Sequence, residues 1–169
     1  MMKTIVLTAI CIVLLTVACT SSTNNSPTGP TTVTYDFEGG VVPAVFTQTG
    51  TIVSGPDLWN VVDTSILPLA GTMAAQTLAS ITTSCLSYQE TIDTSNVTFS
   101  YAFVNVIASS ITFTLKIDSV EYINITSIPA GWNQASVDIP YGQHTYEWCF
   151  SANEDAYFYL DDIVFTTSP

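Results

Sequence analysis

The sequence predicts an all-β protein: a two-sheet antiparallel β-sandwich with Greek-key or jelly-roll wiring, preceded by a signal peptide and a flexible tether. Three observations predict it. From Val33 onward, apolar and polar residues alternate with period two between turn residues, the signature of half-buried strands. No segment carries the apolar repeat of an amphipathic helix of useful length. Charge is scarce, 9% of residues against 47% hydrophobic, with abundant Thr and Ser, which suits an exported β-domain better than a cytosolic enzyme.

What charge exists is one-sided. The 169 residues hold 14 acids against two Lys and no Arg, for a net charge of −12. Loss of a leader containing Lys3 leaves 14 acids against Lys116 alone, or −13. Nucleic acid is excluded as a partner, because phosphate contacts need Lys and Arg. An anionic membrane surface would repel the domain. A divalent cation is the natural counterpart of so acidic a chain.

The first element is a leader. Lys3 is followed by an uncharged run from Thr4 to Ala18, too short for a membrane span and of the right build for a signal peptide. It ends Leu15-Thr-Val-Ala-Cys19, which resembles the lipobox of bacterial lipoproteins, although Thr16 stands where Leu is usual. That resemblance implies cleavage before Cys19 and a lipid on Cys19, so residues 1–18 are a lipoprotein signal peptide. An ordinary secretory leader cut nearby is the alternative. Position two of the mature chain is Thr20 and not Asp, which does not signal retention at an inner membrane; export to the outer membrane or cell surface is expected. Residues 19–32, rich in Thr, Ser, Asn, Pro and Gly and without a large apolar residue after Cys19, form a flexible linker.

The domain is expected over residues 33–169. Its first strand is placed at 34–38, ending at Gly39-Gly40, followed by short β-like pieces at 45–53, 58–62 and 71–76. Regular strands come next. Residues 84–92 alternate with Leu86, Tyr88 and Ile92 on one side; Val97, Phe99, Tyr101 and Phe103 line one face of the strand that follows. Ile111, Phe113, Leu115 and Ile117 repeat this pattern opposite Thr112, Thr114 and Lys116. Asp118-Ser119 predicts a tight turn into 120–126, and Ala135, Val137 and Ile139 are the apolar face of another strand. Tyr141-Gly142 is expected to turn the chain into 144–151, where Tyr146, Trp148 and Phe150 point inward; residues 156–166 form the last strand.

Tyr35-Asp-Phe-Glu-Gly-Gly40, the Trp59 segment, the Asp118 turn, Gly142-Gln-His-Thr-Tyr-Glu-Trp148 and Leu160-Asp-Asp-Ile-Val-Phe165 fall in an order that resembles bacterial surface jelly-roll domains. These are related to the cleaved-adhesin, MAM-like and carbohydrate-binding-module folds. The resemblance spans about residues 34–166 and implies a jelly roll on a surface or secreted protein, often adhesive or glycan-binding. It also implies a structural Ca²⁺ between the first and last strands.

Three groups of residues carry candidate chemistry. Asp36 and Glu38, two apart on a strand, share a face, and Asp161 and Asp162 interrupt the most β-prone run of the chain. Adjacent acids inside an apolar strand are costly unless compensated. Hard oxygen ligands from two strands suit Ca²⁺, and the resemblance assigns the site to Glu38 with Asp161 or Asp162; solvated acids at the sandwich rim are the alternative. Cys85 and Cys149 are the only thiols left after the leader goes and Cys19 is acylated, so an exported domain is expected to pair them as a disulfide. Candidate ligand-contacting aromatics are Tyr122 on the polar sheet face and Trp59, Trp132 and Tyr141 near turns, with packing of the loop ends as the alternative for the two Trp.

No catalytic inventory accompanies these groups. His144 is the only His, and no Gly-x-Ser-x-Gly, metal–His cluster or phosphate loop is present. The expected function is that of a non-catalytic, lipid-anchored surface protein displaying a binding or adhesion module for glycan or protein ligands. A structural envelope or appendage subunit without a specific ligand is the alternative.

Overall fold

A computed structural model describes residues 30–50, 59–64, 73–79, 83–88, 92–104 and 108–167. The leader, Cys19 and the linker through residue 29 lie outside the described residues, as do parts of the pieces predicted at 45–53, 58–62 and 71–76. The described residues form strands and their connections, with no helix long and apolar enough to cross a membrane. The strands are β1 (Thr31–Tyr35), β2 (Phe46–Gly50), β3 (Trp59–Asp63), β4 (Met73–Ala79), β5 (Thr83–Tyr88), β6 (Asp93–Val104), β7 (Ile111–Ile117), β8 (Val120–Ile125), β9 (Asn133–Gln143), β10 (Tyr146–Ala152) and β11 (Ala156–Thr167).

They make two antiparallel sheets. One runs β3-β4-β11-β6-β9, with β1 also on β11; the other runs β2-β5-β10-β7-β8. The predicted alternation sets the faces. Val97, Phe99, Tyr101 and Phe103 of β6 meet Phe113, Leu115 and Ile117 of β7 and Tyr146, Trp148 and Phe150 of β10 in one buried core. Phe158 of β11 ties the layers together, with ring centroids 4.4 Å from Phe113 and 5.2 Å from Phe150.

The first and last strands pair as expected, with Thr34 opposite Val164 and Tyr35 opposite Ile163. Three local features differ from the sequence-based expectation. β1 takes in Thr31 and Thr32, whose linker-like composition hides two ladder residues. It also stops at Tyr35, because Phe37 adopts a left-handed backbone (φ 56°) that turns its ring into the core against Phe46. And β9 continues through Tyr141-Gly142, with a register shift against β6 just before Gly142, and the chain turns instead at residues 144–145. The Asp118-Ser119 turn is present, both residues having positive φ (51° and 67°), the geometry that matches the twist of a two-residue hairpin.

The disulfide Cys85–Cys149 is formed. The two residues sit directly opposite each other on β5 and β10, as the common sheet requires. By the loop-entropy model, closing its separation of 64 residues contributes roughly 4 kcal/mol.

Candidate functional site: an acid cluster at a strand changeover

β11 has two neighbours on one edge. β4 pairs with Ala156–Leu160, and β1 pairs with Ile163–Thr167. Asp161 and Asp162 fall in the gap. There the register against β6 shifts, so that two β11 residues lie between the partners of Ser100 and Thr98 where β6 has one. This bulge solves a phase problem. Strict alternation from inward Leu160 would send Asp162 into the core and Ile163 outward. The extra residue, with Asp162 at φ 49°, lets Leu160 and Ile163 both face inward.

Two further pieces of chain reach the bulge. Asp36-Phe-Glu38 leaves β1 as an exposed loop in which Asp36 Oδ1 accepts the Glu38 N–H (3.2 Å). Glu38 Oε1 accepts the N–H of Met73, the first residue of β4 (3.0 Å). Asp36 and Glu38 are therefore not on a strand and do not share a strand face; the turn at Phe37 brings them together instead. Their charges still reach Asp161 and Asp162.

The electrostatics are those of like charges gathered together. Asp161 is only 1% exposed, and its Oδ1 accepts the Asp162 N–H (2.8 Å). Burial pushes its carboxyl up to about 7, and the charges of Asp162, Glu38 and Asp36 add to the shift. Asp162 is raised as well, by burial and then by Asp36 and Glu38. The only basic side chains among the described residues are engaged elsewhere, Lys116 with Glu147 and His144 with Asp118. Four carboxylates, one of them the buried Asp161, fit a divalent cation by chemistry. By spacing the cluster is open: among the described residues, the one group of three ligand atoms within 4.8 Å of one another is Cys85, Glu147 and Cys149. Both sulfurs of that group are spent in the disulfide.

The predicted aromatic platforms separate into two kinds. Tyr122 (45%) and Tyr141 (54%) are exposed. Trp59 is not: it is 1% exposed, packed edge-to-face on Phe158, and its indole N–H has no acceptor among the described residues. It lines an open groove of about 330 Å³ with Gln48 and Asn60, but at 1% exposure it leaves almost no ring surface for stacking. Trp132 is half-buried against Tyr159. Proximity to a turn does not decide burial, and at both Trp packing prevails.

One polar arrangement is barely signalled in the sequence. His144 lies in the β9–β10 connection, where its Nδ1 is 2.6 Å from Asp118 Oδ2 and its Nε2 is 2.8 Å from the Pro140 carbonyl oxygen. Both ring nitrogens face acceptors, so the ring satisfies both only as the doubly protonated imidazolium. Burial pushes its pKa down, but the Asp118 hydrogen bond, the Pro140 carbonyl and the Asp118 charge together leave it raised. Asp118 is lowered, first by His144 and then by the Thr145 N–H. It also accepts from the Thr145 hydroxyl (3.1 Å).

The sequence matches no family model and no curated protein sequence. Solved structures do share its fold. The K2 cleaved adhesin domain of Lys-gingipain aligns with TM-score 0.61 at 16% identity, over 80% of this chain and 99% of that one. The K3 cleaved adhesin domain of Lys-gingipain, from Porphyromonas gingivalis, aligns with TM-score 0.59 at 17% identity, over 83% and 100%. The family 11 carbohydrate-binding module of Clostridium thermocellum, solved with a β-1,3-1,4-mixed-linked tetrasaccharide, aligns with TM-score 0.50 at 12% identity, over 85% and 98%. The fold expected from the resemblance, a sandwich of the cleaved-adhesin and carbohydrate-binding-module kind, is thus the fold observed.

Proposed function

We propose that the protein is a non-catalytic, lipid-anchored surface protein that displays a binding or adhesion module for glycan or protein ligands, braced by a structural Ca²⁺ held by Asp36, Glu38, Asp161 and Asp162. The observation that carries the binding reading is the fold's likeness to adhesin and carbohydrate-binding domains over more than four-fifths of the aligned partners' length. The inventory of side chains agrees with it. The only His is held between Asp118 and Pro140, away from the acids at the bulge. The cation reading is supported by the buried Asp161 and by the engagement elsewhere of Lys116 and His144, the basic side chains among the described residues. The lipid anchor rests on the Ala18-Cys19 junction.

A glycan array probed with the full-length protein in calcium, with the β-1,3-1,4-mixed-linked tetrasaccharide and mannose- and xylose-based oligosaccharides included, tests the ligand class. Selective binding is expected. Silence on the array together with concentration-dependent self-association would replace this reading with that of a structural envelope subunit. Incorporation of radiolabelled palmitate that is lost in Cys19→Ala tests the anchor.

A further inference from the structure

Lys116 is the only Lys or Arg beyond residue 3. It does not serve the acid cluster. It stands on the outer face of the five-stranded sheet, opposite Glu147 of β10 in register, with Nζ and Oε2 4.0 Å apart. Both side chains are about 40% exposed (41% and 39%), so the pair contributes little to stability and its hydrogen-bonding capacity remains available. The pair opens on a cavity of about 310 Å³, at the small end of ligand pockets, also lined by Ser87, Ser119 and Thr145.

The walls are fixed before any ligand arrives. Ser119 belongs to the tight turn with two positive φ values. Thr145 is pinned by Asp118, whose Oδ1 accepts both its N–H (2.8 Å) and its hydroxyl, while the Asp118 N–H donates to the Thr145 carbonyl (3.0 Å). The floor is the ladder of β5, β10 and β7, in which Ser87 pairs with Glu147 two residues from the Cys85–Cys149 bridge.

We infer that this cavity binds one pyranose unit of a neutral glycan, with Lys116 donating to one ring hydroxyl and Glu147 accepting from its neighbour. The inference rests on the proposed binding function and deepens it. The chemistry selects the ligand class. Among the lining side chains Lys116 and Glu147 balance, while Glu121 stands opposite Lys116 on β8 and the domain carries a net −13, so an anionic ligand meets an acidic field and a compact cation meets Lys116. Adjacent hydroxyls, each able to donate and accept, satisfy both charged groups and the serine hydroxyls at once. Tyr122, exposed and the extra residue of β8 between Glu121 and Ile123, the partners of Lys116 and Leu115, offers an aromatic face for the next sugar.

The test is nitrogen-15 amide NMR of the full-length protein, titrated to tens of millimolar with methyl glycosides of glucose, galactose, mannose and xylose, and with the mixed-linked tetrasaccharide. Expected are saturable shifts centred on Ser87, Lys116, Ser119, Thr145 and Glu147, with affinity falling about tenfold or more in Lys116→Gln and in Glu147→Gln. Unchanged spectra elsewhere show that both variants keep the fold. Binding of a glycan with shifts centred elsewhere, or with affinity unchanged in both variants, overturns this site and leaves the proposed function standing. Binding of a protein ligand by a chain that ignores every sugar also overturns it. Silence towards every sugar and every array ligand overturns the site; the proposed function falls with it only when the protein also self-associates with rising concentration.

Discussion

The acid cluster at the β11 bulge and the clasp around Asp118 use the same functional group in opposite ways. Asp118 is half exposed, yet it is fully served by its own chain: an imidazolium, a backbone N–H and a hydroxyl. Its pKa is lowered. Asp161 is buried, receives one backbone N–H, and faces three more acids; its pKa is raised to about 7. The lesson is that acids alone do not mark a cation site. The partners supplied by the chain decide, and here they are supplied at one place and withheld at the other.

The largest perturbation acts on both regions equally. Cys85→Ala with Cys149→Ala should destabilise the domain by roughly 4 kcal/mol in urea unfolding, because it releases a long loop in the unfolded chain. It should leave the calcium response and the His144 titration intact. Loss of either would mean that the two regions are not independent.

Calcium should act on one region only. At about one hundred times its dissociation constant, a single site stabilises by about 2.7 kcal/mol. Thermal melting should show that rise in the wild type and in Asp118→Asn, and not in Asp161→Asn.

Asp118→Asn should cost about 1–2 kcal/mol, toward the low end for charged hydrogen bonds because the side chain is half exposed. The pH dependence then separates the regions. His144 has a raised pKa, so its contribution is complete below the ordinary 6.5 and lost as pH climbs through the folded value. Asp161 has the same sign for the opposite reason. The folded carboxyl holds its proton to about 7 and the unfolded one only to 3.8, so metal-free stability falls between those limits as a repelled charge appears. Calcium should remove the Asp161 component alone, and Asp118→Asn the His144 component alone, in melts recorded from pH 4 to 9 (about that range).

The smallest effect is expected at the Lys116–Glu147 pair. Lys116→Gln should change stability by less than about 0.5 kcal/mol in the same urea unfolding assay, whatever it does to ligand binding.

Much of this molecule is legible along the chain. Period-two alternation identifies the inward faces of β6, β7 and β10, because each strand buries one side against the other sheet. The disulfide follows from two remaining thiols in an exported domain, and the meeting of the first and last strands from the resemblance. What is hidden depends on partners distant in sequence. The bulge at Asp161-Asp162 appears only when β11 is laid beside β6 and its edge neighbours β4 and β1. Asp36 and Glu38 look like strand neighbours until Phe37 is seen to turn left-handed in order to bury its ring. His144 and Asp118 are 26 residues apart, and nothing local announces their contact. A lone His two residues past a Gly, in a chain with one acidic tight turn, is the faint signal that could have paired them.

On the proposed reading, a cation shared among Asp36, Glu38, Asp161 and Asp162 holds the chain where its first and last strands meet. Isothermal titration calorimetry of the chelator-stripped full-length protein with calcium chloride tests it most directly. One ion per chain is predicted, in the range of about 10⁻⁴–10⁻³ M usual for extracellular modules, with the heat abolished in Asp161→Asn. No heat in the wild type, or equal heat in the variant, would contradict it.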